Sequence, residues 1–503
     1  MIEFQPTTAV RSRVRVQPDG LSAVKVIFVI FLCLLIGHLA IKAYFDSVAI
    51  NGVGVLLVTC ILYWVLFLKR DPFSFLLIIF ICSQFIYANN QGGLFNLAAF
   101  ILLLPYLLTK KYQETRQSSD AVMNVLLFTL LAANMLGLFF RNPVGMLLRI
   151  QQAAAFSGFL MAFFLASHLR LDAPRLKKML AVIGFFVCFN FIISINQHYS
   201  IIKFASPLLG LDESIFYEAE NAFGTFRSAT ANAQYAMVIF AFIIPLLSST
   251  AARTQLKLNS MIYIGICLVC MSLTVLANMR AAAAFVGLLT IMYSVMFAVF
   301  YRRSFRYAKY LNRFSIAAVV FLLGFGTIIG VQNITEDFQE ASNASSEQVL
   351  SGAVFNRLGA WQLGLDLLSR KSWIIGYGHG GTESNMIATG AVRTASGWKG
   401  GGHLHSLYLM LPLLYGWIGS FAFMGLFLVP LARAFRIIRK LSFDNLGVVV
   451  NLGFFVSIGI WLLDEIKSGS MVQSMNFTML AFIWLGWAVA AQRTLRFNAI
   501  MRR

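Results

Sequence analysis

Residues 121–140 read AVMNVLLFTLLAANMLGLFF and residues 446–463 read LGVVVNLGFFVSIGIWLL, two stretches without a single charged side chain. An α-helix needs about 20 apolar residues to cross the hydrocarbon core of a bilayer. Within that core, backbone N–H and C=O groups find partners only inside a helix or a closed barrel. Stretches of this kind recur from Val24 to Ala490. The chain has 503 residues, of which 59% are hydrophobic and 12% charged, whereas a soluble domain carries about 25% charged residues. Such a chain cannot cover its surface with polar groups, and the fold class that follows is an all-α integral membrane protein.

Hydropathy places about fourteen spans on the sequence. They lie near residues 23–41, 49–68, 73–88, 94–108, 121–140, 148–167, 176–195, 233–248, 259–278, 281–301, 315–331, 406–432, 446–463 and 473–491. Lys and Arg test this count independently, because one missing or surplus span would scramble their alternation between the two faces. Arg11 to Arg15, Lys69-Arg70, Lys110-Lys111, Arg175 to Lys178, Arg253, Arg302 to Arg313, Arg433 to Lys440 and Arg493 to Arg503 all fall on one face. The positive-inside rule assigns that face to the cytoplasm, with both termini on it. Met1 to Gly20 lacks a small-residue cleavage site after the first apolar run, so the first span is expected to be retained.

The expected organisation is therefore a cytoplasmic tail 1–22, helices over 23–331 with an outer loop at 196–232, a large outer loop 332–405, helices over 406–492, and a cytoplasmic tail 493–503. Hydrophilic connections as long as 332–405 are usually functional or disordered. No fixed-period repeat and no separate soluble domain is visible. The formal charge of +20 does not point to nucleic acid, since the basic residues sit between apolar runs and form no stripe interleaved with aromatics. All six cysteines fall inside apolar runs, and Cys267-x-x-Cys270 has no redox fold around it, so they read as small hydrophobic packing groups.

Chemistry on this scaffold needs polar groups near the outer face. Arg227, Arg280, Arg357, His379, Arg393, His403 and His405 qualify. A cation at a span end is often an interface anchor. Arg280 is less easily assigned to that role, because Asn278-Met279-Arg280 is nearly the whole connection between two apolar helices on the face where positive charge is disfavoured. Its planar fork suits a phosphate or pyrophosphate.

Loop 352–405 carries Asn356-Arg357, Trp361, Gly376-Tyr377-Gly378-His379-Gly380-Gly381 and Gly400-Gly401-Gly402-His403-Leu404-His405, the last leading straight into a span. The glycines would let backbone approach a ligand. His405, at the start of that helix, is open to two readings: a base for a hydroxyl, or a helix-end histidine bonded to backbone. His403 and His405 are two residues apart, which does not put both rings on one helical face, so a metal pair is not expected. No Gly-Lys-Ser/Thr follows the glycine runs, so they are not P-loops.

In their order, these motifs resemble the bacterial O-antigen ligase and O-antigen polymerase superfamily. Gly224-Thr225-Phe226 followed by Asn232 looks like the segment that enters a span after the first large outer loop. Thr274 to Arg280 resembles the helix end that closes with an arginine. Asn356-Arg357 with Trp361 looks like the start of the large periplasmic loop, and Gly376-Tyr377-Gly378 like its Gly-x-Gly. His405-Ser406-Leu407-Tyr408 and Tyr415-Gly416-Trp417-Ile418-Gly419 are similar to the signature after that loop. The resemblance covers roughly residues 220–425. Ser406 and Met279 stand where the family carries Asn and Ser, and neither departure removes a charge.

The resemblance implies a GT-C-like fold with a large periplasmic loop at the bacterial inner membrane, and glycosyl transfer without metal or cofactor. Arg280 and Arg357 would bind the pyrophosphate of an undecaprenyl-pyrophosphate-linked oligosaccharide donor, and His405 would activate a hydroxyl of the glycan acceptor. Arg227, His379, His403 and Tyr408 join them as substrate-binding candidates. The implied partners are membrane lipid and chain-length regulator or export proteins.

The preferred expectation is a polymerase of O-antigen or exopolysaccharide, with a ligase to lipid A core as its nearest rival. A lipid-linked sugar transporter would instead show repeated halves and charges near the bilayer midplane. A non-catalytic scaffold of an export complex would tolerate replacement of Arg280, Arg357 and His405.

Overall fold

The computed structural model describes residues 120–139, 146–199, 229–277, 279–300, 406–440, 445–468 and 475–501, with short pieces at 73, 76–77, 80, 222, 224–226, 361, 364–365, 368–369, 374, 376–378 and 471. All of them belong to one compact unit, Leu56–Arg503. The described residues are mostly helical, with no strand among them. The expected spans near 23–41, 49–68, 94–108 and 315–331, most of that near 73–88, the tail 1–22 and most of 332–405 lie outside the described residues.

Ten α-helices are described: α1 Ala121–Leu136, α2 Met146–His168, α3 Ala173–Tyr199, α4 Ala229–Ser248, α5 Thr250–Leu256, α6 Ser260–Leu276, α7 Arg280–Phe300, α8 Leu407–Lys440, α9 Leu446–Ser468 and α10 Met475–Met501. Five are long and apolar enough to cross a membrane, or six if the bent pair α5 and α6 counts as one span. Several run past the expected span ends: α8 to Lys440, α9 to Ser468 and α10 to Met501. Hydropathy ends where polar side chains begin, whereas backbone hydrogen bonding carries a helix on into the aqueous interface.

The two faces of a helix separate in this bundle. α4 is buried almost all round, while the apolar surfaces of α1 and α8 are largely exposed, with Phe128 and Phe421 pointing away from the bundle. An apolar helix surface left open is the surface that lipid covers. α4 is the central element, with α5, α6, α7 and α9 packed beside it, while α3 packs on α6 and reaches α4 through the bonds of Asn190 and Ser194 to Asn232.

Between helices already in lipid there is little hydrophobic drive, so association depends on close packing, which small residues permit. Added Cβ atoms at Gly453, Gly486 and Gly425 would press on Phe242, on Ala166 and Phe163, and on Leu126 of the facing helices. Phe242 also meets Phe454 and Trp484, at centroid distances of 4.6 and 4.8 Å, joining α4, α9 and α10.

Contacts along each helix pair give its direction. Gly419 faces Ala133 and Gly425 faces Leu126, so α1 and α8 are antiparallel. α4 and α9 are antiparallel as well, with Gln234 at Asp464 and Phe242 at Phe454. α2 and α10 run parallel, with Gly486 at Ala166 and Arg493 bonded to the Ser167 carbonyl. One end of the bundle therefore collects the starts of α1 and α3 and the polar ends of α8 and α10, with Arg175, Arg433, Arg436 and Arg439 among their residues and Arg170 in the connection just before α3. The other end collects the starts of α2, α4, α7, α8 and α10 and the ends of α3, α6 and α9. Among the described residues, Arg170, Arg175, Arg433, Arg436 and Arg439, all expected on the basic face or beside it, lie at one end.

Candidate functional site

The end opposite the arginine-rich one is where buried polar side chains concentrate. α3 is apolar over most of its length, then presents Asn190, Ser194 and Gln197, all buried. Four and three residues apart, they share one helical face. That face receives the segment Ala222–Phe226.

Gln197 brackets Gly224, accepting its N–H at 2.7 Å and donating to its carbonyl at 3.0 Å. Asn190 Oδ1 accepts the Thr225 N–H at 2.8 Å, and Asn190 Nδ2 donates to Asn232 Oδ1 at 2.6 Å. Asn232 in turn donates to Ser194 Oγ at 3.2 Å and to the Ala222 carbonyl at 3.1 Å. Gly224 has φ +59, and a Cβ there would overlap the Asn190 side chain. Only glycine meets both demands without strain.

The same segment reaches the turn that carries Arg280. Ala222 N–H donates to the Leu276 carbonyl at 3.0 Å, in the last turn of α6. Thr230, in the first turn of α4, donates to Met279 Sδ at 3.6 Å. The turn itself is closed by the Met279 N–H on the Thr274 carbonyl at 3.3 Å. Arg280 is the first residue of α7. A helix N-terminus already carries partial positive charge from unpaired N–H groups, so an arginine there makes the end strongly attractive to an anion.

A second polar group lies at the far end of α9. Asp464 and Glu465 are both buried. Gln234 Nε2 donates to Asp464 Oδ2 and, at 3.2 Å, to Glu465 Oε1. The other Glu465 oxygen accepts the Met471 N–H at 3.3 Å. Buried carboxylates are costly unless hydrogen-bonded, and these bonds tie the α9 terminus and the following turn to the start of α4. Sequence reasoning ended this span at Leu463 and so left both acids in a connection. The signal available was an acid pair, Asp464-Glu465, directly following an apolar run.

Tyr408, a substrate-binding candidate, donates its hydroxyl to the Leu462 carbonyl at 2.8 Å while its ring remains partly exposed. That bond pins the first turn of α8 to α9, two residues from Asp464. Ser406 and Leu407, which follow His405, are buried. A chain of contacts thus runs from the start of α8 through α9 and α4 to the Arg280 turn. His405, Arg357, Arg227, His379, His403 and Arg393 lie outside the described residues, as does the Arg280 side chain.

The Gly-x-Gly motif has a different partner from the ligand expected of it. α8 contains Pro412 and is broken at Gly416, where φ is 67° and ψ 179°. In an unbroken helix the Leu413 and Leu414 carbonyls would take the N–H groups four residues on. Here Tyr377 N–H bonds to the Leu413 carbonyl and Gly378 N–H to the Leu414 carbonyl, the latter at 3.0 Å. A Cβ on Gly376 would overlap the backbone of Leu414 and Tyr415, and Gly378 (φ +75) lies against the Gly137 backbone. These glycines therefore serve close approach of backbone to backbone. The Gly137 carbonyl is also held by the buried Arg149, at 2.7 Å.

No protein-family model matches this sequence, and no curated protein is significantly similar to it.

Proposed function

We propose that this chain is a membrane glycosyltransferase of the polysaccharide-polymerase type, moving a glycan from an undecaprenyl-pyrophosphate carrier onto a lipid-linked repeat unit at the periplasmic face. The observation that carries this reading is the Arg280 turn. It sets an arginine at a helix N-terminus, at the end of the bundle away from the basic face and beside a dense set of buried amides. A pyrophosphate leaving group needs cationic stabilisation as the glycosidic bond breaks, and an arginine on an oriented helix end supplies it with little reorganisation. Arg357 is the second cation of this reading, and Arg227, His379, His403 and Tyr408 line the substrate path.

His405 takes the proton from the acceptor hydroxyl as that oxygen attacks the anomeric carbon, and undecaprenyl pyrophosphate departs with the bonding electrons. The first turn of α8, joined to α9 through Tyr408, stands at the same end of the bundle as Arg280, which supports assigning both to one site. The buried Asp464 and Glu465 lie at that end too, near the α9 terminus. Their position away from the helix midpoint favours chemistry at the membrane face over a transport path through the bundle centre.

The test is complementation of a polysaccharide-deficient knockout with His405→Ala, Arg280→Ala and Arg357→Ala, with the membrane level of each protein measured. The expected result is normal insertion and no polymer. Wild-type chain length from His405→Ala would remove the general-base role and favour a transporter or scaffold. Gel banding separates the two enzymatic readings, since loss of a polymerase leaves single repeats attached and loss of a ligase leaves none.

A further inference from the structure

Asn232 is the hub of the amide network at the start of α4. It is fully buried, accepts from Asn190, and donates to Ser194 and to the Ala222 carbonyl. Ala222 passes this constraint on, because its N–H holds the Leu276 carbonyl four residues before Arg280. Gln197 and Asn190 fix the other end of the same segment at Gly224 and Thr225. α6 enters its last turn held on one side by this segment, and the turn beyond it is held on the other by Thr230 against Met279.

Buried amides cost stability unless every donor and acceptor is matched. An all-apolar contact would have joined α3, α4 and α6 at less risk of leaving a polar group unpaired. What the amides add is direction, since each hydrogen bond specifies a position where apolar packing specifies only proximity. We infer that Asn232, supported by Asn190 and Gln197, is a positioning residue for the Arg280 turn, setting where the N-terminus of α7 meets the pyrophosphate. This rests on the reading of Arg280 as an anion-binding group.

A merely structural role would lower stability without acting through Arg280, and a double-mutant cycle separates the two. Binding of radiolabelled undecaprenyl pyrophosphate is measured with the full-length protein in nanodiscs, for wild type, Asn232→Ala, Arg280→Ala and the double variant, normalised to folded protein. Asn232→Ala is expected to weaken binding on the order of tenfold, and the double variant to bind no more weakly than Arg280→Ala alone, as residues acting through one group do.

Wild-type binding by Asn232→Ala, or a double variant in which the two losses multiply, overturns the positioning role and leaves the proposed function standing. Equal binding by wild type and Arg280→Ala overturns the anion-binding reading and the inference together. Should Asn232→Ala fail to insert, Gln197→Met takes its place in the cycle. It removes only the clamp on Gly224 and keeps the hub, and the same outcomes decide.

Discussion

Asp120 is the N-cap of α1, accepting the Met123 N–H at 3.3 Å, and its carboxylate pairs with Arg433 from the polar end of α8. Burial opposes its ionisation. The hydrogen bonds from Arg433 and Met123 and the charges of Arg433 and Arg493 outweigh that, and hold the carboxyl below the ordinary aspartate value. A carboxyl whose folded value is depressed stabilises the fold fully above its unfolded value, and that stabilisation is lost as pH falls through the folded one. Thermal unfolding of the detergent-solubilised protein between about pH 6 and pH 3 should therefore fall more steeply for wild type than for Asp120→Asn. Asparagine keeps the cap, which isolates the charge. Parallel curves for the two proteins would mean that the pair contributes nothing across this range.

α8 shows why elements in this chain are only partly legible from sequence. Its hydropathy is continuous from Leu407 onward, and Pro412 and Gly416 are visible in the sequence, yet neither announces that the freed carbonyls of Leu413 and Leu414 are taken by a segment some 35 residues earlier. The break is a tertiary contact, with Gly376 as its tightest point. Gly376→Ala is expected to cost about 2–3 kcal/mol by overpacking against backbone that cannot shift without undoing the break. A lowered melting temperature of the purified protein would register it. A melting temperature equal to wild type would mean that the 376–378 segment does not hold the kink.

At the scale of the whole molecule, the two ends of the bundle differ in chemistry, arginine-rich at one and rich in buried amides and acids at the other. In a cysteine-free background, a membrane-impermeant maleimide should label Tyr199→Cys in intact cells whose outer membrane has been opened. Arg439→Cys should be labelled only after the inner membrane is breached. The reverse pattern would turn the bundle over and put Arg280 on the cytoplasmic face, where a periplasmic transferase cannot use it. Labelling of this kind reads orientation independently of any activity.

The short α5, Thr250–Leu256, was not legible in the sequence, but the position and order of the long helices along the described residues, the grouping of the basic residues among them and the place of Arg280 at a helix start were. They depend on side-chain transfer free energies and on charge, which act locally and leave a linear record. Which helix is central, that Asn190, Gln197 and Asn232 meet around Gly224, that Asp464 and Glu465 turn inward to Gln234, and that Gly376 to Gly378 close on a broken helix were decided only by the tertiary structure. These are hydrogen bonds and close approaches between residues tens to hundreds of positions apart. Their partners are selected by packing geometry, and a hydropathy profile carries no trace of that choice.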